Sequence, residues 1–464
     1  MGKLELTFHG AAGEVTGSMH RLDIDDRSIL LDAGLFQGRR AEARAKNAEL
    51  PLDARTIDAV VLSHAHIDHA GRLPLLTRFG FHAPILCTPA TRDLSAIMLA
   101  DAAFIQMKDA EFLRKHGKAG PNSEPLYDAE DAAAVQKRMM TVGYAQPHPL
   151  LEGLSVTFRD AGHILGSASV DLTITRRSDS HRLVFSGDIG RKGMPVLRDP
   201  DPPKGPIDTL IIESTYASKK HETVGVAEQT LGEIVNRTAA RGGKVLIPSF
   251  AVGRAQELIY ALHALHRAGQ IGKLPIYVDS PLAIEATAIF RLHPELFDRR
   301  ERLVSETADL FDFPLVSYVR RVEDSRALNT MSGPAVIIAA SGMAESGRIL
   351  HHLKHHGSDP KNTILFVGFQ AEHTLGRKIQ EGRRTVNILG DPVEIEAEIT
   401  TLGGYSAHAD RDELRSWIQA LGGPIRRAFV VHGETEPRLA MAEILKQEGV
   451  TEVYLPRLGE SHRL

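Results

Sequence analysis

The sequence predicts a mixed α/β protein of two or three domains, and three observations support this prediction. Its 464 residues exceed the size of one ordinary domain, since about 150 residues per domain is typical. Short apolar segments that are typical of strands alternate with helical stretches along much of the chain. From about residue 208 the strands become almost wholly apolar, which indicates a parallel sheet covered by helices on both faces.

The first part of the chain alternates short strands with turns and helices. We predict strands at residues 4–8, 28–31, 59–62, 85–88, 155–158 and 183–186, and helices at residues 91–115 and 129–140. A proline-rich segment at residues 199–206 follows, and such segments often lie at the edge of a domain.

The second part of the chain alternates apolar strands with helices. We predict strands at residues 209–213, 244–248, 276–279, 335–339 and 363–368, with a helix at residues 254–268. After about residue 396, turns that contain histidine return, around His408 and His432.

The charge balance gives no sign of an overall basic protein. Lys and Arg number 55, Asp and Glu number 59, and the net charge is −4. Nucleic-acid binders often carry a basic face, but a local basic cleft or a pair of metal ions can also attract a polyanion.

The chain contains a single cysteine and no segment that resembles a membrane span. Cys87 lies in an apolar run, so we expect a buried thiol and no intramolecular disulfide. The N-terminus lacks the apolar core of a signal peptide, and no run of 18 apolar residues follows. We therefore expect a soluble, cytoplasmic protein without a membrane partner.

The strongest motif is the series His64-x-His66-x-Asp68-His69, directly after the strand at residues 59–62. In an extended segment, side chains two residues apart point the same way, so His64 and His66 can share one ion. Asp68 and His69 follow as the chain turns, and would project toward a second, adjacent position. Imidazole and carboxylate ligands suit zinc, and the absence of cysteine ligands argues against a purely structural finger.

Six residues cannot complete two coordination spheres, so other strand ends must contribute ligands. His163 lies in a glycine-rich turn after a strand, and Asp188 follows the strand at residues 183–186. An aspartate at such a position can bridge two cations spaced ~3.5–4 Å apart. Taken alone, both residues are weak candidates, because polar residues beside glycines usually form turns.

Together these residues resemble a known family. The ordered series resembles the ligands of the metallo-β-lactamase superfamily: His64, His66, Asp68, His69, His163 and Asp188. Asp32 matches that family's earlier strand-end aspartate. Its implied role is to orient the ligand loop through hydrogen bonds, rather than to bind metal.

Three later residues resemble the signatures of the β-CASP branch of that superfamily, which processes nucleic acids. Glu213 resembles the first signature, His408 the second and His432 the third. The third signature is histidine in RNA-acting members and commonly valine in DNA-acting ones. His432 therefore favours RNA as the substrate.

The resemblance implies a fold and a set of metal ligands. Residues 1–208 and 396–464 are expected to form a four-layer αββα metallo-β-lactamase domain, and residues 209–395 an inserted parallel α/β β-CASP domain. Two Zn²⁺ ions are implied. The first would take His64, His66 and His163, the second would take Asp68, His69 and His432, and Asp188 would bridge them.

The same residues suggest how hydrolysis would proceed. Two cations lower the pKa of a shared water toward ~7 and neutralise charge on the phosphate. His408 is the best donor of a proton to the leaving ribose oxygen, and Glu213 would orient it or help position the water. We expect Asp68 to act in catalysis as well as in metal binding. Ser406 and Arg254 are candidate phosphate contacts, because guanidinium matches the geometry of phosphate. For Arg254, an exposed helix residue without a binding role is an equally good interpretation.

These features predict a zinc-dependent ribonuclease that cuts single-stranded RNA in a cleft between two domains, and leaves 5′-phosphate and 3′-hydroxyl ends. We expect endonucleolytic cleavage, while the sequence leaves exonucleolytic action from the 5′ end open. It also leaves open whether the protein forms a homodimer. The alternatives are a small-molecule metallohydrolase and a non-catalytic subunit of an RNA-processing complex. Residues 209–395 count against the first alternative, and the complete ligand set counts against the second.

The histidine pairs at residues 351–352 and 355–356 could mimic a metal site, because they lie at helical spacing. We expect a polar helix face instead, on the ground that no strand-end carboxylate accompanies them.

Overall fold

The computed structural model describes residues 3–38, 40–117, 120, 123–176, 179–368 and 370–464. The chain forms two compact units. The first contains Met1–Lys192, Asp199–Lys220 and His408–Leu464, and the second contains Gly193–Arg198 and His221–Ala407.

Strands and helices are numbered here in chain order. The strands are β1 Leu4–Phe8, β2 His20–Ile24, β3 Arg27–Leu31, β4 Ala59–Val61, β5 Ile85–Cys87, β6 Met139–Thr141, β7 His148–Leu151, β8 Leu154–Asp160, β9 Ala168–Arg176, β10 Asp179–Phe185, β11 Ile207–Ile212, β12 Lys244–Pro248, β13 Ile276–Val278, β14 Val316–Tyr318, β15 Ala335–Ala339, β16 Thr363–Phe366, β17 Thr385–Ile388, β18 Asp391–Glu394, β19 Glu398–Thr401, β20 Ile425–Val430, β21 Glu452–Tyr454 and β22 Ser461–Arg463. The α-helices are α1 Arg40–Ala48, α2 Ile67–Ala70, α3 Leu73–Arg78, α4 Pro89–Lys115, α5 Ala129–Gln136, α6 Val224–Ala240, α7 Arg254–Arg267, α8 Pro281–Leu292, α9 Arg299–Ser305, α10 Val322–Leu328, α11 Ile349–His356, α12 Leu375–Gln380, α13 Arg411–Ala420 and α14 Thr435–Gln447.

The first unit contains two seven-stranded sheets, with strand orders β22-β1-β2-β3-β4-β5-β6 and β21-β20-β11-β10-β9-β8-β7. Alternate side chains of β1, such as Leu4, Leu6 and Phe8, pack in a core with residues of the other sheet, such as Phe158 and Leu172. A second core joins the first sheet to α3, α4 and α5, and a third joins the second sheet to α13 and α14. The expected αββα layering is therefore confirmed.

Parallel pairing in the first unit brings the ends of several strands to the same edge of each sheet. β3, β4 and β5 are parallel neighbours in one sheet, and β10, β11 and β20 are parallel neighbours in the other. The candidate site residues follow the carboxyl ends of these strands: Asp32 after β3, His64–His69 after β4, Asp188 after β10, Glu213 after β11 and His432 after β20.

The second unit contains a six-stranded sheet with the order β14-β13-β15-β12-β16-β19, in which every pair is parallel. All five residues of β12 and of β15 are buried, and α6 and α11 both contact β12. The predicted parallel sheet is confirmed. β17 and β18 form a separate antiparallel hairpin.

Two local predictions have different outcomes. The helix predicted at residues 129–140 ends at Gln136, and Met139 begins a strand instead. The backbone of Met139 pairs with Ile85 of β5, so a sheet edge displaces the last helical turn. Cys87 is fully buried as predicted, and burial raises the pKa of its thiol to about 12.

Within the described ranges, no helix combines the length and the apolar character needed to cross a bilayer.

Candidate metal centre

The loop after β4 turns from an extended segment into the short helix α2. His66 has extended backbone angles (φ −59°, ψ 148°) and is the residue before α2, which carries Asp68 and His69. His64 and His66 therefore lie on one side of the extended segment, while the helical turn directs the next two candidates elsewhere. This is the local geometry that the spacing predicts.

His64, His66, His163 and Asp188 form the first group of converging donor atoms. His66 Nδ1 lies 3.1 Å from His64 Nε2 and 3.2 Å from His163 Nε2. Asp188 Oδ2 lies 3.4 Å from His64 Nε2 and 3.5 Å from His163 Nε2. The fold thus brings together residues that are up to 124 positions apart (188 − 64).

Asp68, His69 and His432 form the second group. His432 Nε2 lies 3.2 Å from His69 Nε2 and 3.6 Å from Asp68 Oδ2. Asp188 also faces this group, since its Oδ2 lies 3.3 Å from His69 Nε2 and its Oδ1 lies 3.5 Å from His432 Nδ1. One carboxylate is therefore shared between two groups of donors.

The spacing of the donors fits zinc. Four ligands at ~2.0–2.1 Å around a tetrahedral ion lie about 3.3–3.4 Å from one another. The separations in both groups, 3.1–3.6 Å, bracket that value. Asp188 is 2% exposed, and its Oδ1 accepts no hydrogen bond from the described residues, which is costly for a buried anion without a cation.

The neutral state of two histidines in the first group also favours cation binding. Burial lowers the pKa of His64 well below its ordinary value and that of His66 to about 4, so both rings are neutral and can offer a lone pair. Burial alone would raise the pKa of Asp188. The imidazoles of His432 and His69 outweigh that effect and hold the pKa well below its ordinary range, so the carboxylate remains charged.

Hydrogen bonds from outside the two groups orient three of the rings. Asp32 Oδ2 lies 2.6 Å from His69 Nδ1, Ser63 Oγ lies 3.0 Å from His64 Nδ1, and Thr215 Oγ1 lies 3.1 Å from His432 Nδ1. Each contact occupies Nδ1 and leaves Nε2 directed at the donor group. The sequence identified Asp32 but missed Ser63 and Thr215, although both lie beside candidate residues.

Asp32 is itself held tightly. It is fully buried at a positive φ of 60°, where its Oδ1 accepts a hydrogen bond of 2.8 Å from the backbone N–H of Ser63. Its Oδ2 accepts further hydrogen bonds from the hydroxyls of Ser18 and Ser63. These contacts connect β3 to the loop that carries the first four candidate ligands.

Glu213 and His408 form a pair beside Asp188, and the donors of all three converge. Glu213 Oε1 lies 3.2 Å from His408 Nδ1 and accepts a hydrogen bond of 2.6 Å from the backbone N–H of Ile189. Burial lowers the pKa of His408, but the charges of Glu213 and Asp188 outweigh it and raise the pKa to about 8. A ring in this state can donate a proton at neutral pH.

The two candidate phosphate contacts belong to the second unit. Arg254 begins α7, is only 4% exposed and forms an ion pair with Glu257 in the same helix. It is therefore not a solvated helix residue. Ser406 is buried at the end of the second unit, and its backbone N–H donates to the carbonyl of Gly403.

The structure corrects the interpretation of the histidine pairs on α11. His352 and His356 are buried rather than part of a polar face. His352 Nε2 lies 2.7 Å from Asp279 Oδ2, and Asp279 directly follows β13, so a strand-end carboxylate does accompany the histidines. Sequence inspection missed it because the two residues are 73 positions apart.

Comparisons with known proteins agree with this geometry. The metallo-beta-lactamase superfamily matches residues 12–227, the Beta-Casp domain matches residues 255–379, and the Zn-dependent metallo-hydrolase RNA specificity domain matches residues 392–456.

Similar proteins cover nearly the whole chain. Ribonuclease TTHA0252 of Thermus thermophilus is 40% identical over 97% of this chain and 98% of its own length. Transcription termination factor FttA of Thermococcus kodakarensis is 34% identical over 97% of this chain and 69% of its own length. A crystal structure of a protein of unknown function from Enterococcus faecalis V583 covers 100% of both chains with a TM-score of 0.51 and 14% identity, which supports the fold alone. This chain belongs to the metallo-β-lactamase superfamily, in its β-CASP branch.

Proposed function

We propose that this chain is a metal-dependent ribonuclease that hydrolyses the phosphodiester backbone of RNA. The observation that carries the proposal is the shared carboxylate of Asp188, which faces two groups of metal-binding donors and lies beside the Glu213–His408 pair. The similarity to a ribonuclease and to an RNA specificity domain supports RNA as the substrate.

We propose two Zn²⁺ ions, with His64, His66 and His163 holding one, Asp68, His69 and His432 holding the other, and Asp188 contributing to both. When bound, the pair would activate water and neutralise charge on the phosphate. Asp32 would orient His69 for this purpose, as Ser63 and Thr215 would orient His64 and His432.

The Glu213–His408 pair would supply the proton that the leaving group needs. Glu213 is fully buried and its Oε1 lies 3.2 Å from Nδ1 of His408, so it would orient the ring, whose Nε2–H would be the proton donor. As water attacks phosphorus, the ribose 3′ oxygen would leave with that proton. The products would carry 5′-phosphate and 3′-hydroxyl ends.

We further propose single-stranded RNA and endonucleolytic cleavage. Most of the donor side chains are almost completely buried, so a backbone that reaches them has to be free of a pairing strand. Arg254 and Ser406 are proposed to contact flanking phosphates. The domain bounds 1–208, 209–395 and 396–464, and a cytoplasmic location, are proposed on the family resemblance.

A circular single-stranded RNA tests the reaction and its mode together. We expect the protein to linearise the circle, EDTA to abolish cleavage, and added Zn²⁺ to restore it. A duplex of the same sequence should be cut more slowly. Degradation of a linear RNA without cleavage of the circle would exclude the endonuclease, and failure on both RNAs would exclude the ribonuclease.

The ends of the products test the direction of attack. A 5′-phosphate that supports ligation to a 3′-hydroxyl is expected. Recovery of 2′,3′-cyclic phosphates would instead mean that the 2′-hydroxyl of the RNA attacks phosphorus and the 5′ oxygen leaves, and the proposed proton transfer from His408 to the 3′ oxygen would be wrong.

A further inference from the structure

Arg438 lies near the beginning of α14 in the first unit, six residues after the candidate ligand His432 (438 − 432). Only Nη2 of its guanidinium donates a hydrogen bond within the described chain, of 2.7 Å to the carbonyl of Pro456. Nε is buried without a partner, and no carboxylate oxygen of the described residues lies within 4.0 Å of the guanidinium. The positive charge of Arg438 is therefore unpaired in the part of the chain that the structure describes.

This position is unfavourable for a cation. The side chain is partly buried, and burial lowers the pKa of Arg438 below its ordinary value. Its backbone N–H donates to the carbonyl of Glu434 and closes the first turn of α14, where the positive end of the helix dipole raises the energy of a cation. Neither effect stabilises an unpaired guanidinium, whereas a bound anion would offset both.

Two acidic side chains near Arg438 have other partners. Lys46 Nζ donates to both oxygens of Glu14, at 2.8 Å and 2.9 Å. Glu460, whose charge acts on Arg438, accepts a backbone hydrogen bond of 2.9 Å, and its other oxygen lies 2.7 Å from Nε2 of His462. Neither carboxylate forms an ion pair with Arg438 in the described chain.

The loop between β1 and β2 adds backbone donors beside the same guanidinium. A Cβ on Gly13 would lie 3.2 Å from Nη1 of Arg438, and the φ of Gly13 is +98°, which favours glycine. The backbone N–H groups of residues 12–15 donate no hydrogen bond within the described chain. Guanidinium and amide donors without acceptors thus lie next to one another, and such a combination favours an anion.

This loop is fixed to the turn that carries His432. The backbone N–H groups of His432 and Gly433 donate to carbonyl groups of the loop, at 2.8 Å and 3.3 Å. The stem of Arg438 packs against the same turn, since a Cβ on Gly433 would lie 3.3 Å from its Cγ. We name Arg438 and residues 12–15 the Arg438 site, and it adjoins a candidate ligand of the second donor group.

We propose that the Arg438 site binds a phosphate of the RNA next to the phosphate that is cleaved. This inference rests on the proposed ribonuclease function. RNA carries one phosphate per nucleotide, so a strand that is cleaved at the donor groups brings its neighbouring phosphates to the surface around them. A guanidinium suits this ligand, because its planar fork of donors matches the geometry of phosphate. Arg438 would hold the substrate without taking part in bond cleavage.

The salt dependence of RNA binding tests the proposal, because each phosphate contact releases counterions. The zinc-loaded, full-length protein with His408→Ala is suitable, since slow cleavage leaves the RNA intact. Fluorescence anisotropy measures its affinity for a short labelled RNA between about 50 and 200 mM salt. Adding Arg438→Met should weaken binding by roughly 10–100-fold. The slope of log affinity against log salt should become shallower by about 0.7, the value for one contact with a single strand.

Two further variants separate charge from structure. Arg438→Lys retains the charge, so it should keep the original slope and lose less affinity than Arg438→Met. Lys446→Met is the matched control, because it removes an exposed positive charge near the other end of α14, and it should change neither affinity nor slope. A purely structural role of Arg438, through its hydrogen bond to Pro456, would lower the free energy of unfolding and leave the slope unchanged.

Cleavage by the protein with native His408 gives an independent readout. Arg438→Met should raise KM with a nearly unchanged kcat and an unchanged zinc content, since a flanking contact holds the ground state and the transition state equally. An unchanged salt slope, an equal change in Lys446→Met, or loss of zinc would overturn this inference and leave the ribonuclease intact. Absence of RNA binding and cleavage when Arg438 is native would instead overturn the proposed function, and the inference with it.

Discussion

Two buried clusters of histidine and aspartate, one in each unit, look alike in composition and differ in how their carboxylates are satisfied. Asp279 is fully buried, and both oxygens have donors: Arg348 at 2.6 Å, His352 at 2.7 Å and Ser325 at 2.7 Å. Asp188 is equally buried, but its Oδ1 accepts no hydrogen bond from the described residues, and four imidazoles lie 3.3–3.5 Å from its oxygens.

The difference separates a structural site from a metal site. Donors within the protein satisfy both oxygens of Asp279, so this carboxylate needs no cation. Around Asp188, four imidazoles lie at the separation that a common ion would impose. Burial and composition alone do not distinguish these cases, whereas the count of satisfied oxygens does.

The strongest test of this contrast is the same substitution in both clusters. Asp188→Asn should remove metal from both donor groups and lower RNA cleavage by roughly 10³-fold or more, since paired cations supply several kcal/mol of charge stabilisation. Asp279→Asn should leave the zinc content unchanged and lower stability instead, by up to about 3–5 kcal/mol because a buried charge partner is lost. Elemental analysis, cleavage rates and urea unfolding measure both. Two bound zinc ions in Asp188→Asn would remove the basis of the contrast.

A second test distinguishes a metal ligand from a proton donor within the Asp188 cluster. His432→Ala should lower both zinc content and rate, whereas His408→Ala should keep both ions and slow cleavage by roughly 10²–10⁴-fold. A substrate with a weakly basic leaving group should rescue His408→Ala selectively, because that oxygen scarcely needs the proton. Loss of zinc from His408→Ala, or equal rescue of both variants, would contradict the assignment.

A third test concerns the hydrogen bond that orients His69. Asp32→Asn should weaken zinc binding by about 10–100-fold, since ligand orientation is worth that much. Ser18→Ala is the matched control, because it removes one hydrogen bond to Asp32 but retains the 2.6 Å contact with His69. Competition with a zinc chelator gives the affinities. Equal affinities in the two variants would mean that the carboxylate does not act through His69.

The smallest expected effect is a pH dependence in the second unit. Burial and the charge of Lys244 lower the pKa of His356 to about 4, below the value of ~6.5 in an unfolded chain. The unfolded chain therefore binds a proton that the folded chain does not, and stability should fall as the pH drops from 6.5 toward 4. His356→Gln should reduce this slope in urea unfolding at pH 7 and pH 5. An unchanged slope would show that other groups cause it.

Local patterns in the sequence predicted much of this fold. The exact bounds of β1, β12 and β15 follow from short apolar runs between turns, and the direction change at α2 follows from the spacing of His64, His66 and Asp68. The two interior histidines on α11 could not be recognised in this way. Their burial depends on Asp279, which reaches them through the pairing of β13 with β15.

The sequence predicted some residues of the candidate site more directly than others. Spacing alone indicated the first four candidate ligand positions, and turns at strand ends indicated His163 and Asp188 weakly, whereas His432 depended on resemblance to a family. Thr215 was missed because its contact with His432 spans 217 residues and is created by the parallel pairing of β11 with β20. Hydrogen-bond partners of this kind have no sequence period of their own.

The placement of His432 has a consequence for biosynthesis. Its ring meets that of His69, although 363 residues separate them, and the second unit is made in between. At roughly 5–20 residues per second, a ribosome needs about 20–70 s to proceed from one to the other. A nascent chain can therefore hold at most one complete donor group during that interval, and a nuclease emerging beside its own messenger RNA would remain incapable of cutting it until His432 has been synthesised.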